Sequence, residues 1–274
     1  MNLKIALSKK LTKKELEQLR RGYDIIGDIA IIEIPYELRK RQKLIARAIM
    51  QLHPNIKVVA KKVGIHTGRY RTQKLTILAG EKRKETEHKE SGTRMLLDVE
   101  KCYFSPRLGS ERLRIAQQIK KKETVLVMFS GVAPYPLVLT KQSPAKHITG
   151  IEINPIAHEY GIQNVLLNKL HERITLIKGD VRKIVPTLKQ KYDRIIIPLP
   201  KTGEKYLDLA FSVAKKGATI HLYDFKKDEE IQYAGKDVMN ICTKYKKRCT
   251  VLRIVKAGAY APRVYRICID FKVN

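Results

Sequence analysis

From residue 124 onward the chain alternates short apolar runs with segments of helical periodicity. The runs TVLVMF (124–129), HITGIEI (147–153), ITLIKGD (174–180), YDRIIIPLP (192–200) and ATIHLYDF (218–225) are nearly continuous in apolar residues, as expected of strands covered on both faces. Between them lie helical patterns over 134–142, 155–170, 181–190 and 203–214. Strand–helix alternation at this spacing predicts a doubly wound, mostly parallel sheet. The tail CTVLRIVKAGAYAPRVYRICIDFKVN (249–274) adds two strands around Gly258–Pro262, expected to close the sheet as an antiparallel pair.

The first hundred residues follow another pattern. A charged helix is expected over 13–23, a strand over 28–35 ended by Pro35, and an amphipathic helix over 36–54 with Leu44, Ile45, Ala48, Ile49 and Leu52 on one face. Strands follow at 55–63 and 74–80, then a hairpin over 84–99 turning at Ser91–Gly92. Residues 105–122 read as a connector helix with Ser110 as its cap and Glu111 in its first turn, where the helix dipole favours a carboxylate. The expected organisation is an α+β module over 1–100, a connector over 101–122 and an α/β, Rossmann-like doubly wound domain over 123–274.

Charge narrows the partners. The 274 residues include 56 Lys and Arg against 27 Asp and Glu, a formal net charge of +29. Such an excess repels itself unless an anion is present, and phosphate neutralisation makes nucleic acid the natural partner. Lys61, Lys62, Arg69, Arg71 and Lys74 concentrate that charge in the first module. The cysteines Cys102, Cys242, Cys249 and Cys268 form no CxxC pair, so no metal is expected. No apolar run has membrane-spanning length, and the N-terminus lacks a signal-peptide core. A cytoplasmic monomer is the expectation.

In a doubly wound sheet, ligands sit at the carboxyl ends of the strands. The first such end is the turn Phe129-Ser130-Gly131-Val132-Ala133, followed at the next strands by Glu152-Ile153, Asp180-Val181 and Pro198. A pyrophosphate requires a glycine-rich cradle of backbone amides, and this turn holds Gly131 alone. That counts against a nicotinamide dehydrogenase. A ligand carrying adenosine without phosphate requires less: close backbone approach, an acid for the ribose and a carboxylate for the adenine amino group. S-adenosylmethionine fits that description.

The blocks YFSPRLGSERLRIA (103–116), MFSGVAPY (128–135), GIEINPIA (150–157), NVLLNKL (164–170), GDVR (179–182) and PLPKTGEKYLDLA (198–210) resemble the archaeal and eukaryotic tRNA (guanine-37-N1)-methyltransferases and their relatives in wyosine biosynthesis. The resemblance runs from about residue 20 to the C-terminus. It implies a class I S-adenosylmethionine methyltransferase domain preceded by an RNA-contacting module. It implies Glu111 as the base for the guanine N1 proton, Arg71 as the cation meeting charge on O6, and Tyr103 as a support for the target base. Arg107, Pro198 and Lys201 fall at positions that contact substrate. His88 is expected to be structural.

Three positions depart from the family pattern: Val127 stands for an aspartate, Ala133 for a glycine and Pro198 for an asparagine. Full-length members also carry a small domain that inspects the tRNA elbow, and the resemblance begins after it. Discrimination among tRNAs is therefore expected to be weaker, or to rest on the basic module alone. Methyl transfer to N1 of guanosine 37 is the primary expectation. The alternatives are a wyosine-pathway reaction at the same nucleotide, by methyl or aminocarboxypropyl transfer, and a catalytically inactive tRNA-binding homologue.

Overall fold

A computed structural model of the protein describes residues 2–20 and 22–274, with the backbone alone at His66. The chain forms two compact units. One runs to Lys89 and includes Arg94–Pro106; the other comprises Glu90–Thr93 and Arg107–Asn274.

In the first unit, helices α1 (Leu3–Leu7), α2 (Lys13–Gln18) and α3 (Gln42–Leu52) accompany strands β1 (Asp24–Ile26), β2 (Ile29–Ile32), β3 (Val58–Thr67) and β4 (Thr72–Gly80). The sheet order is β1-β2-β3-β4, with only the β2–β3 pair parallel. Ile45, Ala46, Ala48 and Ile49 of α3 are buried with Leu3, Leu7, Ala30, Ile32 and Val59 in one core. The helical periodicity at 36–54 thus marks a real core face, but the helix starts later. Tyr36–Arg41 is a 3-10 turn after Pro35. The expected helix at 13–23 ends at Gln18, since Leu19 turns extended and is buried; Arg21 lies outside the described residues. The expected strand at 28–35 is β2 alone, entered through a tight turn in which Gly27 has φ +56°. A Cβ there would collide with Thr86 and Glu87, so only glycine fits.

Strands β5 (Glu85–Glu90) and β6 (Thr93–Asp98) form the expected hairpin. Its turn residues Ser91 and Gly92 both have positive φ, as a two-residue turn matched to strand twist requires.

The second unit carries a seven-stranded sheet. Its strands are β7 (Thr124–Met128), β8 (His147–Glu152), β9 (Ile174–Lys178), β10 (Tyr192–Ile197), β11 (Ala214–Lys227), β12 (Cys249–Ala261) and β13 (Val264–Val273), in the order β12-β13-β11-β10-β7-β8-β9. The five strands β7 to β11 are mutually parallel, and β12–β13 closes the edge as an antiparallel pair. The chain runs outward from β7 through β8 to β9, then returns to β10 on the other side of β7. The switch point therefore lies between β7 and β10.

Helices α4 (Gly109–Gln118), α5 (Pro134–Gln142), α6 (Pro155–Leu167), α7 (Val181–Ile184), α8 (Leu207–Val213) and α9 (Ala234–Lys244) join these strands. Two expectations are corrected, and one helix is added. Ser110 does not cap α4; it lies inside the helix, whose N-cap is Leu108. The helix expected over 181–190 is one α-turn that tightens into 3-10 geometry at Val185–Thr187, because Pro186 has no N–H to donate to the Arg182 carbonyl. Helix α9 has no counterpart in the sequence reading. It lies in a charged stretch and buries only Ala234, Val238 and Cys242.

Candidate active site

The strand registers line up one row of residues. Met128 pairs with Ile151, so Phe129 is level with Glu152. Val127 pairs with Ile196, which sets Pro198 level with Phe129. Ile197 pairs with Leu222, so Pro198 is also level with Tyr223. Phe129, Glu152, Pro198 and Tyr223 therefore mark the carboxyl edge of the sheet on both sides of the switch point.

The turn after β7 is wound tightly. Phe129, Gly131 and Ala133 have φ of +60°, +57° and +70°. Such angles cost an L-residue roughly 1–2 kcal/mol, so the alanine at the family's glycine position holds a glycine conformation. The Ser130 N–H donates to the Ile151 carbonyl at 2.8 Å, and the Ala133 N–H closes the turn onto the Ser130 carbonyl at 3.0 Å. Val132 is fully buried, and the Asn164 amide holds its carbonyl at 3.1 Å. Gly150 and Gly161 let β8 and α6 approach closely; a Cβ on Gly150 would lie 3.0 Å from Ser130.

Glu152 completes this half. Its buried carboxylate accepts the Gly131 N–H on Oε2 and the Asn154 N–H on Oε1, each at 2.7 Å. Burial pushes its pKa up against the opposing effect of these amides. The engaged Gly131 amide has a consequence for ligand choice. A carboxylate stands where a phosphate-binding turn presents a free donor, so the turn rejects pyrophosphate. Each carboxylate oxygen keeps acceptor capacity for a hydroxyl. The buried Ser130 hydroxyl has no hydrogen-bond partner among the described residues, a polar atom awaiting a ligand. These features fit a phosphate-free adenosine-bearing ligand. Asp180 caps α7 by accepting the Arg182 N–H at 2.9 Å, with buried Val181 behind it. The Phe129 ring meets Tyr206 edge-on at 4.9 Å, under the Arg182 guanidinium. Ile153 is half-buried beside Glu152.

The other half surrounds Glu111, which is 4% exposed in the first turn of α4. Arg114 grips its carboxylate with two bonds of 2.7 Å, and the Tyr223 hydroxyl donates to Oε1 at 2.7 Å. Tyr135 donates in turn to Tyr223 at 2.8 Å. Arg114 also holds Asp270 at 2.6 Å, and Asp270 accepts from His221 Nδ1 at 2.6 Å. Because Arg194 is purely a donor, its 2.7 Å contact to His221 Nε2 assigns the imidazole proton to Nδ1. Next to Glu111, buried Arg112 makes a bidentate pair with Glu90, with Nε at 2.6 Å. Tyr223, Asp270 and His221 were not legible as site residues, since none sits in a motif with its partners; Arg114 lies in the same block as Glu111, three residues on, but its grip on that carboxylate was not read from it.

His221, Cys268 and Asp270 are the one group among the described residues with ligand atoms close enough for a metal. The guanidinium groups of Arg114 and Arg194 already supply positive charge there.

Pro198 directly follows β10, where no further ladder donor is required. Lys201 has φ +77°, and its ammonium lies 5.6 Å from the Tyr260 ring. Tyr260 is exposed and packs at 4.1 Å on Phe225, near the tip of the β12–β13 hairpin beyond the carboxyl end of β11. Arg107 is exposed just before α4. In the first unit, Arg71 sits in the β3–β4 turn with φ +53°, beside exposed Tyr70. Tyr103 is partly exposed, and His88 Nδ1 contacts the Gly27 N–H at 3.2 Å, a structural role.

Residues 86–252 match the model of the TRM5/TYW2 methyltransferase domain. The chain belongs to this family. Residues 3–83 match the TYW2 N-terminal domain. Among relatives of this TRM5/TYW2 member, the tRNA (guanine(37)-N(1))-methyltransferase Trm5b of Pyrococcus abyssi is 40% identical over 94% of this chain and 78% of its own. The tRNA 4-demethylwyosine(37)-methyltransferase Taw21 of Saccharolobus solfataricus is 34% identical over 95% of this chain and 97% of its own. Among solved structures, that of the complex of aTrm5 and tRNALeu superposes with a TM-score of 0.88 at 36% identity, covering 100% of this chain and 78% of that one.

Proposed function

We infer that the protein is an S-adenosylmethionine-dependent tRNA methyltransferase that modifies N1 of guanosine 37, working as a cytoplasmic monomer. One observation carries the reading. The buried Glu111 carboxylate is hydrogen-bonded to Tyr223, a residue of the same row as the cofactor turn and Glu152. This supports a proton acceptor on the substrate side of the switch point, beside a turn suited to a phosphate-free adenosine.

Bound S-adenosylmethionine supplies an electrophilic methyl carbon, whose bonding pair returns to sulfur. Guanine N1 is protonated at neutral pH, and Glu111 accepts that proton as N1 is methylated. Arg71 meets the charge developing on O6. Tyr103 supports the target base, and Arg107 and Lys201 hold the backbone around it. Phe129, Ser130, Gly131, Val132, Glu152, Ile153, Asp180, Val181 and Pro198 line the cofactor site, with Glu152 on the ribose. The Lys- and Arg-rich first hundred residues hold the tRNA electrostatically, so binding should weaken steeply as salt rises. A flat salt response in filter binding would remove that role.

The direct test is nucleoside mass spectrometry after incubation with S-adenosylmethionine and an unmodified transcript carrying guanosine 37. The expected product is 1-methylguanosine; an aminocarboxypropyl adduct would overturn the assignment. A second reading rests on the similarity to Taw21 and on Pro198, which offers no amide to a guanine edge. On that reading 4-demethylwyosine is also methylated, and a transcript bearing that base tests it.

A further inference from the structure

Glu111 does not stand alone in its pocket. Arg114, from the same helix, donates Nε to Oε2 and one terminal nitrogen to Oε1. The same guanidinium holds Asp270 of β13 at 2.6 and 3.1 Å. One cation is therefore shared by two buried carboxylates. Asp270 is further fixed by His221 at 2.6 Å, Gln118 at 3.1 Å and the Cys268 thiol at 3.2 Å. From β11 and α5 the hydroxyl chain Tyr135–Tyr223 ends on Glu111 Oε1. The remaining charges nearby neutralise each other in pairs, Arg112 with Glu90 and Arg194 with Glu123. His221 is buried, which lowers its pKa, and its Nε2 accepts from Arg194. It is therefore neutral.

With His221, Cys268 and both tyrosines neutral, Glu111, Arg114 and Asp270 together carry one surplus negative charge. Accepting a proton on Glu111 makes this buried set neutral, the state that low dielectric favours. Without Asp270, Glu111 and Arg114 would already be neutral, and protonation would leave a buried cation. A carboxylate held bidentately by an arginine of its own is a poor base. We propose that Asp270 and Tyr223 are positioning residues for Glu111: Asp270 shares Arg114 and so leaves the buried set one negative charge that proton transfer to Glu111 removes, while Tyr223 aims the carboxylate. The proposal rests on Glu111 as the base.

The two residues act with opposite sign, and this makes the test specific. Single-turnover methylation is measured against pH for wild type, Asp270→Asn, Tyr223→Phe and Glu111→Gln. In Asp270→Asn the acid limb should move to lower pH by about one unit, with a roughly tenfold slower plateau from the weaker base. In Tyr223→Phe the carboxylate loses a donor that favours its charged form. The limb should move to higher pH, with kcat reduced and KM for tRNA and cofactor unchanged. Tyr223→Phe is nearly isosteric, so it keeps the test valid if Asp270→Asn misfolds; retained cofactor binding by calorimetry checks each variant. If Glu111→Gln abolishes transfer but the limbs move together or stay fixed, the positioning proposal falls and the base reading stands. If Glu111→Gln keeps full turnover, the base reading itself falls.

Discussion

The two halves of the sheet edge are assembled in different ways. On the cofactor side, Glu152 reaches an amide 21 residues away in the adjoining turn, and Asp180 bonds an amide two residues on. Glu152 meets the turn of the neighbouring strand, and Asp180 caps the helix that follows its own strand. On the substrate side, Glu111 meets Tyr223 across 112 residues, and Arg114 meets Asp270 across 156. The first half is repeated local geometry. The second is a buried charge network that exists only once β11 and β13 have paired antiparallel behind α4. The same edge thus combines a site written in short motifs with one in which only Glu111 and Arg114 share a motif.

Substitutions can break this contrast. The largest effect is expected on the substrate side. Glu111→Gln should lower turnover by about 10²- to 10⁴-fold, the usual contribution of a positioned base, while S-adenosylmethionine still raises the melting temperature. Loss of that thermal shift would mean that the two halves are not separable. On the cofactor side, Glu152→Gln exchanges the acceptor of two amides for a group that must present an N–H to one of them. Hydrogen bonds to charged groups are worth about 1.5–3 kcal/mol, so cofactor Kd by calorimetry should rise roughly ten- to a hundredfold. Equal affinity would remove Glu152 from the site.

A smaller effect follows from the network's pH response. Burial holds the His221 pKa below its ordinary 6.5. The unfolded chain therefore takes up this proton first as pH falls, so stability is present above about 6.5 and declines below it. Asp270 adds a later loss. Burial raises its pKa, but the bonds from His221 and Arg114 prevail and hold it well below the ordinary 3.8. Its contribution is thus present above that value and lost as pH drops further. Melting curves from pH 8 to 5 should show the first decline, and His221→Gln should flatten it; an unchanged slope would assign the proton uptake elsewhere. The smallest effect is expected for Ala133→Gly. Relief of roughly 1–2 kcal/mol of backbone strain is nearly offset by losing a buried methyl worth about 0.8 kcal/mol and by added chain entropy. The melting temperature should move by only a few degrees, and a large loss would show that the methyl supports α6.

Much of this was readable beforehand, for physical reasons. Continuous apolar runs marked β7, β8 and β10 because both their faces are covered, while β9, at the sheet edge, was marked by its apolar run although it is only partly buried. The Ser91–Gly92 turn was readable because two successive positive φ angles suit few residues. Glu152 and Asp180 followed from strand spacing, and Glu111 from a family block. What failed was local. Helix boundaries at Pro35 and Pro186 shifted to 3-10 geometry, and α9 was hidden because its exposed face is charged and its buried face narrow.

By itself, the sequence determined the sheet, its carboxyl edge and the residues at its strand ends, since periodicity and turn chemistry act between near neighbours. Only the tertiary structure decided what surrounds Glu111. A buried carboxylate takes its partners from whatever chains packing brings within 3 Å, and those chains come from opposite ends of the domain.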